Sequence, residues 1–158
     1  MEGELKPGMA YRSAIEPFCD EISIYDGPKT FLKQFAAAPV EVGHLLAAHW
    51  CQSEVANGGL HQFFSNPTGV LAPEARAGFS SIGIEEWASI VGEAMRFFGE
   101  PYPREQAKRL RKLPKAKGAP ATWNVFQALD DRFYAWLRPD RDRWARAADA
   151  YASRYVRE

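Results

Sequence analysis

Apolar residues at Val42, Leu45, Leu46 and Trp50 recur at helical spacing, continue to Ala56, and are cut by Asn57-Gly58-Gly59 before Leu60, Phe63 and Phe64 resume the pattern. Such spacing puts side chains on one face of an α-helix. Asn and Gly tolerate the left-handed conformation used at helix ends, so the triplet predicts a chemically specified stop. Asn66-Pro67 ends the second, shorter segment, with Thr68-Gly69 as turn material. A helix, a break and a short helix are therefore predicted over residues 40–66. The corner between them concentrates Glu54, Asn57, Gln62 and Asn66 among the rings of Trp50, Phe63 and Phe64.

The remaining chain alternates helical stripes with breakers. Gly3, Pro7, Gly8, Pro17, Gly27 and Pro28 crowd residues 1–29, which are expected to form an irregular arm docked by Ile15, Phe18, Ile22, Ile24 and Tyr25. A short helix begins at Lys29, carries Phe31, Leu32 and Phe35, and closes before Pro39. Pro73 suits the first turn of a helix that continues through Phe79 towards Gly83. The clearest amphipathic stripe follows in Ile84, Trp87, Ala88, Val91, Met95 and Phe98, with Glu85 and Glu86 in its first turn and Gly99 after its end. Pro101-Tyr102-Pro103 reads as a stiff connector into a basic helix from Arg104 to Leu113, and Pro114, Gly118 and Pro120 as a loop. Thr122 is placed to cap a helix with Phe126, Leu129, Phe133 and Leu137 inward and Asp130 and Asp131 outward. Asp140 is placed to cap the last helix, with Trp144, Ala148, Tyr151 and Tyr155 inward. No alternating strand pattern or internal repeat stands out. The expectation is an all-α, compact single-domain bundle of about six or seven helices: a docked N-terminal arm at 1–29 and a helical core at 30–158.

Charge narrows the functions. The chain has 20 Lys and Arg against 20 Asp and Glu, for a formal net charge of zero. No global field draws it to nucleic acid or anionic lipid, so direct nucleic-acid binding and membrane association are not expected and any charge-led function is local. A hydrophobic share of 46% gives enough apolar area to fold alone. Neither a basic leader nor a long apolar run marks the start, Met1 to Pro7, which leads to the expectation of a cytoplasmic protein. Cys19 and Cys51 fit no ligand spacing and read as reduced packing residues.

Screens for chemistry return little. His44 and His49 do not share a helical face as a ligand pair, and with Cys51, Glu54 and His61 they form no recognisable metal motif. Neither a nucleophile elbow nor a phosphate-binding loop is present. The chain reads as non-enzymatic, without cofactor or metal. In the basic run, Arg104, Lys108, Arg111, Lys112 and Lys115 share one helical side that could meet an acidic partner; Arg109 and Lys117 complete the run. The corner residues Glu54, Asn57, Gln62 and Asn66 have two readings. They satisfy backbone groups at a helix break, or with Trp50, Phe63 and Phe64 they line a pocket for a small ligand.

Trp50, Glu54-Val55, Asn57-Gly58-Gly59, Gln62-Phe63-Phe64, Asn66, Thr68-Gly69, Pro73-Glu74-Ala75, Ile82-Gly83, Ala94-Met95 and Phe98-Gly99 together resemble a bacterial family of unknown function named after a member that acts as a DNA mimic. Tyr102-Pro103-Arg104, Leu129-Asp130 and Phe133-Tyr134 continue the likeness, which covers most of the chain from about residue 30. The resemblance implies an all-α fold and a protein-binding role. At least one relative presents acidic side chains as surrogate phosphates to a DNA-binding regulator. In this chain that role would fall to Glu85, Glu86, Glu93, Asp130 and Asp131 on one acidic face. Neither the partner's identity nor an oligomeric state is encoded in these patterns.

Overall fold

The structure, a computed structural model, describes residues 5–115 and 124–156. The cap at Thr122, the loop residues Gly118 and Pro120, Lys117 and the first four residues of the arm lie outside the described residues. Among the described residues there are eight α-helices and no strand: α1 (Met9–Cys19), α2 (Pro28–Ala36), α3 (Val40–Ser65), α4 (Ala72–Ile82), α5 (Glu85–Met95), α6 (Gln106–Lys112), α7 (Gln127–Leu137) and α8 (Arg143–Tyr155). Short 3-10 turns at Pro67–Leu71 and Arg96–Phe98 extend the links after α3 and α5. No described helix is long and apolar enough to cross a membrane.

The longest helix, α3, is the axis of the bundle. It packs on α4 most extensively and also meets α1, α2, α6, α7 and α8, while α4 leans on α5 and α5 on α7. Its stripe of Val42, Leu45, Leu46, Cys51 and Val55 is buried, as are Leu60, Phe63 and Phe64 beyond the break. A second cluster joins the later helices. Trp87 of α5 stacks on Phe133 of α7 with ring centroids 3.9 Å apart, and its indole N–H donates to the Phe133 carbonyl at 3.1 Å. Phe79 and Trp144 close on the same indole.

Three local readings change. The N-terminal arm is docked but not irregular, because α1 occupies eleven of its residues. Gly8 precedes that helix without a side-chain cap of its own. The cap comes from α8 instead: the Asp149 carboxylate accepts the Gly8 N–H at 2.7 Å and the Tyr11 N–H at 3.0 Å. Pro17 is accommodated within the helix. At the other end of the chain, Tyr155 is 51% exposed rather than inward. Asp140 does not cap α8 either. Its carboxylate accepts the Asp142 N–H at 3.0 Å in the turn ahead of the helix.

Tyr11 also ties α1 to α3. Its hydroxyl accepts from the Trp144 indole at 3.3 Å and lies 2.9 Å from His49 Nδ1, an arrangement in which the tyrosine donates to a neutral imidazole. Burial, with the charge of Arg12 behind it, pushes the His49 pKa from 6.5 down to about 4. Between those values the unfolded chain takes up a proton that the folded protein refuses. This contribution to stability is complete above pH 6.5 and is lost as pH falls to about 4, with a size of roughly 3 kcal/mol. Urea-unfolding midpoints should therefore decline from about pH 7 to pH 4.5, and H49Q should flatten that part of the profile.

Candidate functional site

The corner in α3 is built by two glycines. Gly58 (φ −152°, ψ 22°) and Gly59 (φ 76°, ψ −180°) leave helical geometry, while Asn57 keeps a negative φ. The break is therefore not the left-handed cap that Asn-Gly predicts. Gly59 sits in a region of backbone space that residues with a Cβ avoid. Gly58 is needed for a different reason: a Cβ there would lie 2.1 Å from Oε1 of Gln62.

Into that space fits a chain of four hydrogen-bonded polar side chains. Asn57 Nδ2 donates to Gln62 Oε1 at 3.0 Å. Gln62 Nε2 donates to Glu54 Oε2 at 2.8 Å, and Asn66 Nδ2 donates to the same oxygen at 2.7 Å. One carboxylate on the first segment thus holds two amides on the second and beyond it. Trp50 takes no part and packs on Phe31, 5.7 Å between centroids. Phe63 is fully buried against Phe64.

Breaking a helix also frees backbone groups. The Leu60 N–H, which opens the second segment, donates to Asp130 Oδ1 at 2.8 Å. Tyr134, also on α7, donates its hydroxyl to the Val55 carbonyl at 2.7 Å. Asp130 is buried and belongs to no acidic face, contrary to its predicted outward position. Burial raises its pKa, and the bonds from Leu60 and from Asn124 oppose the rise. Asp130 also fills the space beneath Gly59, where a Cβ would lie 2.7 Å from Oδ2.

At the far end of α3 the partner is Arg109, which the sequence places within the basic run but the fold buries completely. Its Nε donates to the Phe64 carbonyl at 2.9 Å and Nη2 to Asn66 at 2.9 Å, while Nη1 reaches Arg104 at 2.7 Å and Pro103 at 3.1 Å. Gln106 Nε2 takes the Ser65 carbonyl at 2.8 Å. Arg109 makes no ion pair among the described residues. Desolvation lowers its pKa, and the negative end of the α3 dipole favours the retained charge. A signal for this role was present: Gln106, Arg109 and Leu113 stand opposite the shared side of the other cations.

The two charged faces fare differently. Glu86 and Glu93 of α5 are both held by Arg132 of α7; Arg132 Nη1 donates to Glu93 at 2.6 Å, and Nε and Nη2 point at Glu86. Glu85 accepts from the Ser80 hydroxyl at 2.7 Å and Asp131 from Gln127 at 3.0 Å, both at the surface. Of the cations, Arg104 is committed to Glu74 and the Val70 carbonyl, and Lys112 donates to the Phe98 carbonyl at 2.6 Å. Lys108 lies 3.7 Å from Glu105. Arg111 and Lys115 are exposed and make no ion pair among the described residues.

Each histidine has a structural partner: Tyr151 for His44, Tyr11 for His49 and the Pro114 carbonyl for His61. Among the described residues no group of three or more His, Cys, Asp or Glu converges as metal ligands would. Four surface cavities of about 530, 620, 150 and 580 Å³ are lined by residues other than Glu54, Asn57, Gln62 and Asn66.

G59A forces a side chain into a glycine-only conformation and against Asp130, and should cost about 2–3 kcal/mol. R109K keeps the charge but cannot span the carbonyls of Phe64, Asn66 and Arg104 together, and should cost roughly 2–4 kcal/mol. Denaturant unfolding followed by far-ultraviolet circular dichroism measures both losses.

Comparison with known proteins places this geometry. No curated protein and no solved structure matches the chain. The family described as DMP19-like protein matches residues 36–157, a stretch that runs from the end of α2 through α8 and includes the entire corner. The chain belongs to the DMP19-like protein family.

Proposed function

We propose that this chain is a non-enzymatic cytoplasmic protein that works by binding another protein, in a DNA-mimic-like manner. The observation that carries this reading is the closure of the corner. Glu54, Asn57, Gln62 and Asn66 spend their hydrogen bonds on one another, and Asp130 spends its own on Leu60 and Asn124. A catalytic or ligand-binding site keeps polar groups directed at a cavity, and these are directed at backbone and at each other. The alternative, a small-ligand binder or enzyme using the corner, loses its strongest residues by that closure.

Function then rests on the charged surface. Glu85, Glu86, Glu93 and Asp131 lie exposed on α5 and α7, which pack side by side. They supply carboxylates that a DNA-binding regulator would meet in place of phosphates. Arg132 tempers that face by occupying Glu86 and Glu93. Its removal leaves both carboxylates free for a cationic partner, while exposed ion pairs of this kind contribute only about 0–1 kcal/mol to stability.

Affinity capture from the cell of origin, quantified by mass spectrometry, should yield one stoichiometric protein partner. The triple variant E86K/E93K/D131K should release that partner, and R132A should retain it to higher salt. Failure of the wild-type protein to capture a partner, even with cross-linking, would overturn the protein-binding reading. Capture that the triple reversal leaves intact would overturn the mimic-like one.

A further inference from the structure

Helix α6 separates two concavities. One, of about 620 Å³, lies between the helix and the connector through Pro101, Tyr102 and Pro103, with Lys108, Arg111 and Lys112 on the helix side. The other, of about 580 Å³, lies against the second segment of α3 and is lined by His61, Leu110, Arg111, Pro114 and Lys115. Arg111 borders both. Carboxylates from the chain itself, Glu100 and Glu105, line only the connector side.

Three properties distinguish this surface from an ordinary solvated helix face. The first is rigidity: Arg109, Gln106 and Lys112 fasten α6 to backbone carbonyls of α3 and of the turn at Phe98. Little ordering is then left for a partner to impose. The second is unrelieved charge. Lys108, Arg111 and Lys112 stand at i, i+3 and i+4, where like charges repel, and of the three only Lys108 makes an ion pair among the described residues, with Glu105 at 3.7 Å. The helix dipole accounts for cations in the last turn but not for Lys108 or for Lys115 beyond it. The third is an apolar component: Leu110, 45% exposed, lies beside Arg111 and Lys115, and Pro101 and Pro103 line the other concavity.

We infer that the α6 surface is a second docking site, opposite in sign to the α5–α7 face, and takes an acidic, extended peptide segment of a partner protein. Its carboxylates meet Lys108, Arg111 and Lys115, and an apolar residue rests on Leu110 beside Arg111 and Lys115. Peptide is favoured over nucleic acid because the aromatic residues at the site have no free face for a base. Tyr102 donates its hydroxyl to the Gly69 carbonyl at 2.6 Å and packs its ring on Phe64 and Phe98, and Phe98 is buried. Single-strand binding relies on such faces.

The test is a nitrogen-15 NMR titration of the full chain with a synthetic peptide alternating Glu and Leu, alongside an oligothymidylate of equal charge. Binding should shift amides of Lys108 to Lys115 and of Tyr102, and should weaken as salt is raised. K108E/R111E should weaken it about tenfold with an unchanged melting temperature, since both side chains are exposed; K108Q/R111Q is a milder control. E86K/E93K/D131K should leave it unaltered, so this site can fail while the acidic face stands, and the reverse. Shifts scattered over other helices, or wild-type affinity in K108E/R111E, would overturn the site. Tighter binding of the oligothymidylate at the same amides would make it a phosphate site and overturn the peptide assignment.

Discussion

A buried helix broken in mid-course leaves backbone donors and acceptors facing apolar side chains that cannot receive them, and α3 is such a helix. An unpaired buried backbone group costs about 1–3 kcal/mol, so the bend between Gly58 and Gly59 stands only with partners at each exposed end. The Leu60 N–H goes to Asp130 and the Val55 carbonyl to Tyr134, both on α7. The carbonyls of Phe64, Ser65 and Asn66 go to Arg109 and Gln106 on α6. Two later helices are thereby positioned by the polar needs of an earlier one, and the apolar core fills the space they enclose.

Two buried charges follow from the same requirement. Among the described residues, Asp130 and Arg109 form no ion pair with each other or with another charge; each is satisfied by polar groups, mostly of the backbone. An isolated buried ion is expensive, and here each sits at the favourable end of a helical segment, the anion at the start of the second segment of α3 and the cation at its close. The remaining charges sort by sign. Glu86 and Glu93 of α5 meet Arg132 of α7, and Lys108, Lys112 and Lys115 share the two concavities that Arg111 borders.

The structure uses one type of capping three times, and each time the cap is remote. Asp149 caps α1 from α8, Asp130 caps the second segment of α3 from α7, and Arg109 closes that segment from α6. Remote caps explain the misreadings of single residues. The N-terminal arm looked irregular because Gly and Pro crowd it, whereas Asp149 caps a helix within it from afar, and Asp130 looked solvent-facing because it stood off the apolar stripe of its own helix.

The sequence by itself determined the all-α class, the positions of most helices, the place where α3 breaks and the family, whose match spans residues 36–157. These depend on the rotation per residue of a helix and on the conformational range of Gly and Pro, which are properties of neighbouring residues. It also held a hint of Arg109, opposite the other cations of its helix. Only the tertiary structure decided that the corner is closed and that Asp130 and Arg109 are its keystones. The Leu60 donor and its acceptor are 70 residues apart, and the Arg109 guanidinium is 45 from the Phe64 carbonyl. Hydrogen-bond satisfaction is a condition on the packed whole, so side-chain partners at such separations exist only once the helices have met.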